Sequence, residues 1–412
     1  VYIFKVRIIH FPQYGGELER AAMNFTKEGF LGNVYSDISG KSAHSAPLYP
    51  SLLAGIYYIF GWDTISGLII QRLLITTITV ISIGFLVIVA QKAKLSPSSG
   101  LFTGLCIALL PINFWTDTTG GEQSYTALFL LILFWLFCDL HEIQWNSWKR
   151  VIITGIILGI SLLLSPALAP SGILMFFSEL AFQRGNRKRI LLSGILIGMV
   201  SLVIVTPWII RNYYALGGFV PIRSNFGLEF AIGNNPKTVD GGFSVKNINE
   251  ILSAIHPYLN RKECMKLMQL GEIAYMKQKQ QETFKWIQDN PKSFIKLTLK
   301  RFWFFWFPSE NMWASDGTAN ISKSLIFCLI SLGMFCGIWR LGLIGHPSIR
   351  LFTSAIFGFS LSYMITHISL RYRYPVSGLS MLLACDFAIA LYYKIRLKFS
   401  RSEVRMESRT NS

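Results

Sequence analysis

The chain has 412 residues, 52% of them hydrophobic and only 15% charged, with a mean hydropathy of +0.43. Soluble domains carry about a quarter charged residues, so a soluble globular fold is excluded and the sequence reads as an all-α, polytopic membrane protein. The formal charge of +17 does not indicate a nucleic-acid partner, because the basic residues sit in short loops between apolar runs, which is the pattern of membrane topology.

The chain opens on Val1-Tyr2-Ile3-Phe4, read as the tail of a first span whose beginning is missing, with no cleavable signal peptide in view. A polar interval, 12–50, follows. Within it Gly15-Gly16-Glu17 breaks the backbone and starts a helical pattern with Leu18, Ala21, Ala22 and Phe25 at helix spacing. Residues 47–61 are apolar but about 15 long, short of the roughly 20 that a crossing needs, and read as a juxtamembrane helix. Spans are then predicted at 66–90, 99–115, 122–139, 151–166, 167–183 and 190–208, the fourth and fifth separated at Ser165-Pro166. The segment 209–320 is the one sizeable polar piece, an α-rich extracytoplasmic region with helix over 261–306 broken at Asp289-Asn290-Pro291. Spans at 321–339, 350–368 and 375–393 and a basic tail, 395–412, complete about ten crossings, counting the truncated first. The expected division is therefore a transmembrane module (1–208), the extracytoplasmic segment (209–320), C-terminal spans (321–394) and a cytoplasmic tail.

Basic residues orient this arrangement. Lys92/Lys94, Lys149/Arg150, the cluster 184–189, Arg340/Arg350 and the tail all fall on one side, cytoplasmic by the positive-inside rule. The 12–50 loop, the 116–122 connection, the 209–320 segment and Arg371–Pro375 then share the outer face.

Several side chains on that face can carry chemistry. Glu17, on a first helical turn, is sited to hold a metal or to take a proton from an acceptor, or alternatively to cap its helix. Glu19 points about 200° away on a helix, so the two do not read as a carboxylate pair. Asp117 and Glu122 lie between two spans; Glu122 reads as a helix cap or as a second carboxylate facing Glu17. Arg371 and Arg373 in Arg371-Tyr372-Arg373-Tyr374-Pro375 can grip a phosphate or snorkel to headgroups. Arg211, Arg223 and Asn225 lie among glycine turns after the 190–208 span. His44 and His367 have no metal-ligand spacing and read as ordinary polar residues. Two charges lie within spans: Arg72, read as an anchor, and Asp386, which needs a basic partner, a proton or a relay role. Of six cysteines only Cys264 is outside an apolar segment, which supports neither a disulfide framework nor a cysteine metal site.

Taken together, GGELERAAMNFTKEGF, APLYPSLLAGIYYIFG, TPWIIRNYYALGGFVPIRSNFGLEFAIGNNP and RYRYPV resemble the C-type, polyprenyl-phosphate-dependent glycosyltransferases. The branch is the family 39 type, which holds bacterial aminoarabinose transferases and protein O-mannosyltransferase-like proteins. The pieces spread over nearly the whole chain in the family's order. The resemblance implies an outer-face cavity receiving a lipid-phosphate sugar from the membrane and an acceptor from the other side, with inversion at the anomeric carbon. It places Glu17 where relatives carry a first-loop carboxylate, often Asp, and matches Glu122 to a second acidic residue. Ser45-Ala46 stand before Pro47 where aminoarabinose transferases have a lysine, so the phosphate contact falls to Lys41, His44, Arg211, Arg371 or Arg373. Tyr49, Arg223, Asn225 and Tyr372 are expected on the acceptor side or the cavity wall. Mg²⁺ or Mn²⁺ can be held by carboxylate plus phosphate, though no ligand cluster demands it.

The expectation is an enzyme of the plasma (bacterial inner) membrane, active outside or in the periplasm with its C-terminus cytoplasmic. It would move a sugar from a polyprenyl phosphate to a lipid, glycan or protein acceptor. The rivals are a lipid-linked sugar flippase or transporter, an O-antigen ligase or polymerase with a diphosphate donor, and an inactive scaffold of the same fold.

Overall fold

The structure is a computed structural model that describes residues 16–109, 121–313 and 319–410. Among these the only β pairing is a single bridge, Gly32 with Lys41, and the ordered elements are helices. In chain order they are α1 (Glu17–Glu28), α2 (Leu48–Phe60), α3 (Ile65–Lys92), α4 (Pro97–Leu109), α5 (Gln123–Glu142), α6 (Trp148–Leu164), α7 (Ala169–Phe182) and α8 (Arg187–Leu216). The polar segment gives α9 (Phe226–Gly233), α10 (Pro236–Gly241), α11 (Val245–Ile255), α12 (Arg261–Leu270), α13 (Glu272–Asp289) and α14 (Pro291–Trp306). α15 (Ala319–Leu343), α16 (Ile349–Ile365) and α17 (Tyr374–Thr410) follow. Five helices are long and apolar enough to cross a membrane: α3, α5, α8, α15 from Asn320, and the helical stretch 370–397 leading into and through α17. The other expected crossings appear as shorter helices of 13 to 17 residues. The expected first span and Asp117 lie outside the described residues.

Local chemistry explains where these helices begin and end. Thr64 caps α3 by accepting from Gly67 N at 3.0 Å, and Ser147 and Asn260 cap α6 and α12 in the same way. The apolar run 151–183 is divided where expected. Ser165 is extended, and Pro166, which has no N–H to donate, opens a short 3₁₀ turn before α7. α8 runs past the predicted end at 208 to Leu216 in spite of Pro207 within it. The extra turns are held from outside the helix: Trp208 Nε1 donates to Ile222 O at 2.8 Å, and Asn212 Nδ2 to Val220 O at 3.1 Å.

The core is built on α5, α16 and α17, with Phe134 against Phe352 at 4.5 Å and Leu379, Leu382 and Leu383 fully buried between them. α6 meets α8 through Gly155 and Gly159, spaced four apart. A Cβ on either would stand 2.7–2.8 Å from Val200 or Ile204, and Ser201 Oγ donates to Gly155 O at 2.8 Å. This is close small-residue packing of the kind used where both helices are apolar all round.

Helix ends sort into two sets. At one end Lys92 bridges Asp139 and Glu142 at 2.6 Å each, Arg150 reaches Asp139, His141 meets Glu179 at 2.9 Å, and Ser348 Oγ donates to Ala93 O. Asp386 pairs nearby with Arg340 and accepts from Ser99 Oγ at 3.0 Å, so this deep charge is neutralised by a basic partner. At the other end, α1, the start of α3, the N-terminus of α5, the 165–167 turn, the α8–α9 connection, the end of α16 and residues 371–372 enclose one cavity.

Candidate active site

The cavity has a volume of 1210 Å³. Glu17 opens α1 directly after Gly16 and reaches two imidazoles. Its Oε2 lies 2.9 Å from His44 Nε2 and its Oε1 lies 3.1 Å from His256 Nε2. The three donor atoms lie within 4.8 Å of one another. His44 is fixed from behind, its Nδ1 2.8 Å from the Tyr35 hydroxyl, which sets the ring orientation and leaves Nε2 for the cavity side. The backbone around it is held equally firmly: Arg223 Nε donates to His44 O at 3.1 Å, Ala43 N to Glu272 Oε1 at 2.9 Å, and Arg211 to Ser42 O and Leu31 O at 2.8 and 2.7 Å.

Two nitrogen donors and one carboxylate suit a borderline divalent ion such as Zn²⁺ better than the all-oxygen sphere that Mg²⁺ prefers. The buried Glu17 Oε1 makes no hydrogen bond meeting standard geometry, which fits a ligand position. The residues present therefore fit a three-ligand metal centre with open positions, a cluster that linear spacing did not reveal.

The same cavity is lined by Glu122, Arg223, Glu229, His367, Arg371 and Tyr372. Arg223 is 3.8 Å from Glu122, and Glu229 is 2.9 Å from His367 Nδ1. Electrostatics distinguish the carboxylates. Burial pushes Glu17 up, but His44 and His256 outweigh it and hold it well below the usual range. Burial lowers His44, yet Glu17 overcomes this and raises it. For Glu122 burial prevails over Arg223 and Arg371, leaving it raised. Glu229 goes the other way, to about 2, because His367 and Arg223 outweigh its burial.

The residues singled out in the sequence divide between cavity and scaffold. Glu17, His44, Glu122, Arg223, Asn225, Arg371 and Tyr372 line the cavity, joined by Arg72 and by Glu19, which shares the cavity with Glu17 despite their angular separation on α1. Tyr49 lies behind the wall, 1% exposed, its hydroxyl accepting from Gly121 N at 3.0 Å and so anchoring the approach to Glu122. Arg211 serves as the clamp described above. Lys41 is exposed beside its bridge to Gly32 and does not line the cavity. Arg373 is 2% exposed and donates to Trp306 O, Phe327 O and Ser331 Oγ at 2.8, 3.1 and 2.6 Å. Sequence reasoning missed His256 and Glu229 altogether and passed over His367. His256 follows α11 in the polar segment, where the one legible signal was a histidine just before Pro257.

Among the described residues the fold is all-helical, with five helices long and apolar enough to cross a membrane and a cavity at one end of them. No family model matches the sequence, and no curated protein matches it. Among solved structures, the crystal structure of the Archaeoglobus fulgidus oligosaccharyltransferase in its apo form superposes with a TM-score of 0.56 at 15% sequence identity, covering 98% of this chain. The match covers 50% of that chain, so this protein spans about half the length of the enzyme whose fold it shares.

Proposed function

We propose that this protein is an integral membrane glycosyltransferase of the C type that moves a sugar from a polyprenyl-phosphate donor to a hydroxyl of a lipid, glycan or protein acceptor. The observation that carries this reading is the meeting of Glu17, Glu122, Arg223 and Arg371, from four distant stretches, around one large cavity at a single end of the helix bundle. The likeness to an oligosaccharyltransferase fold supports it, and the family 39 resemblance narrows it to monophosphate donors.

In this reading two groups of lining residues have different tasks. Arg223 and Arg371 receive the donor phosphate and stabilise the negative charge that grows on it as the sugar–oxygen bond breaks. The Glu17 group takes the acceptor. Its hydroxyl oxygen bonds the anomeric carbon, the phosphate leaves with the electron pair, and the hydroxyl proton passes to Glu17. A carboxylate held this acidic orients the hydroxyl and takes the proton late, as the new bond forms. A divalent ion at Glu17, His44 and His256 would supply Lewis-acid polarisation. The flippase alternative loses its main support, because Asp386 is paired with Arg340 and Ser99.

The test is mass spectrometry of envelope lipids and glycoconjugates from cells with and without the protein. The reading expects one glycosylated species to disappear and its unmodified acceptor to accumulate. Unchanged profiles in every glycoconjugate class would contradict it.

A further inference from the structure

A run of polar contacts on the phosphate-side wall is left over by the transfer step. His367 Nδ1 lies 2.9 Å from Glu229 Oε2, an ion-pair approach outside standard hydrogen-bond geometry, and its Nε2 lies 3.4 Å from the Tyr372 hydroxyl. That hydroxyl accepts from Arg371 Nη2 at 3.2 Å. The Tyr372 ring is stacked on Tyr363 at 4.3 Å and 15°, with the His367 ring edge-on at 5.5 Å. Glu229 is held in turn by Asn225 Nδ2 at 3.0 Å. The run joins α9, the end of α16 and the 3₁₀ turn entering α17.

Its footing is rigid. Arg301, fully buried, donates to Met364 O at 2.8 Å and to Gly233 O and Asn234 Oδ1 at 2.5 and 2.6 Å. A Cβ on Gly233 would stand 1.8 Å from Thr366 O. The helix that bears Glu229 and the segment that bears His367 are thus locked together. Arg371, by contrast, is exposed to the cavity, and an arginine loses considerable rotamer freedom when it must grip an anion.

We propose that the Glu229–His367 pair is a positioning device for the anion site, holding Tyr372 so that Tyr372 in turn aims Arg371 at a phosphate. The carboxylate favours a proton on His367 Nδ1 and leaves Nε2 to accept the Tyr372 O–H. The hydroxyl then presents a lone pair to one N–H of Arg371, and the remaining N–H groups face the cavity. His367 and Glu229 act through Tyr372 and do not touch the phosphate. This inference rests on the reading of that wall as the donor-phosphate site.

The test uses the full-length protein in detergent, with farnesyl phosphate and, separately, inorganic phosphate as probes, and binding followed by calorimetry. Farnesyl phosphate binds the wild type, and His367→Ala weakens it about tenfold. Y372F does the same, and the double variant is no weaker than either single one, because the two act in series. His367→Gln, which can still accept from the tyrosine, recovers part of the loss and carries the test if His367→Ala does not fold. Inorganic phosphate weakens in the same proportion, since the device acts on the phosphate and not on the lipid. Wild-type affinity in His367→Ala, or additive losses in the double variant, overturns the relay while leaving the phosphate site standing. A wild type that binds neither probe removes the phosphate reading and the relay with it.

Discussion

Arg371 and Arg373 stand two residues apart in a nearly palindromic motif, yet they differ in every physical respect. Arg371 faces the cavity, whereas Arg373 saturates buried carbonyls of the α14–α15 region. The motif could be seen in the sequence, but a 3₁₀ turn turns alternate side chains to different surroundings, and its phase is set only by packing. The two substitutions are therefore expected to separate. Arg373→Ala leaves buried acceptors unpaired and lowers stability by about 3 kcal/mol or more, measured by denaturation in detergent. Arg371→Ala leaves the unfolding transition in place and weakens donor use. Equal stability of the two variants would contradict the assignment. The Glu17–His44 contact makes a further prediction. Glu17 is depressed in the folded protein, so its contribution is present above about pH 4.5 and lost as pH falls through the folded value. His44 is raised, so its contribution is full below about pH 6.5 and lost as pH rises through the folded value. The contact is worth most between those limits. The melting temperature is expected to fall as pH rises from about 6.5, and His44→Asn to flatten that slope; an unchanged slope would remove His44 from the balance.

At the scale of elements, the helices were largely legible because apolar runs, caps and prolines act locally. Ser165-Pro166 divides two helices as its chemistry requires, and Asp289-Asn290-Pro291 divides α13 from α14. Pro207 did not end α8, since tertiary hydrogen bonds from Trp208 and Asn212 hold the turns beyond it. What no local pattern carries is which loops meet. His256 joins Glu17 only because α11 and α12 pack against the 31–44 loop around Tyr35, Ile251 and Cys264. The α9–α16 junction depends on a glycine for the same reason. Gly233→Ala drives a methyl group into Thr366 O, and we expect a loss of several kcal/mol in stability or a failure to accumulate folded protein. An alanine variant as stable as the wild type would mean that the junction is not closed.

For the molecule as a whole, the basic residues Lys92, Arg150 and Arg340 of the loops read as one side make ion pairs away from the cavity. The cavity's lining was only half legible: Glu17, Glu122, Arg223, Arg371 and His44 could be nominated one by one, but Glu229 and the contact of His256 with Glu17 could not, and His367 read as an ordinary polar residue. The account stands or falls on the cavity acting as one chamber, with acceptor chemistry at Glu17 and phosphate binding at Arg371. The most direct measurement is sugar release from a labelled polyprenyl-phosphate sugar in proteoliposomes, with envelope extract supplying the acceptor, for wild type, Glu17→Gln and Arg371→Ala. The account predicts transfer by the wild type, a loss of at least about a hundredfold in kcat with Glu17→Gln while donor binding persists, and a raised donor KM with Arg371→Ala. Wild-type turnover in Glu17→Gln would contradict it.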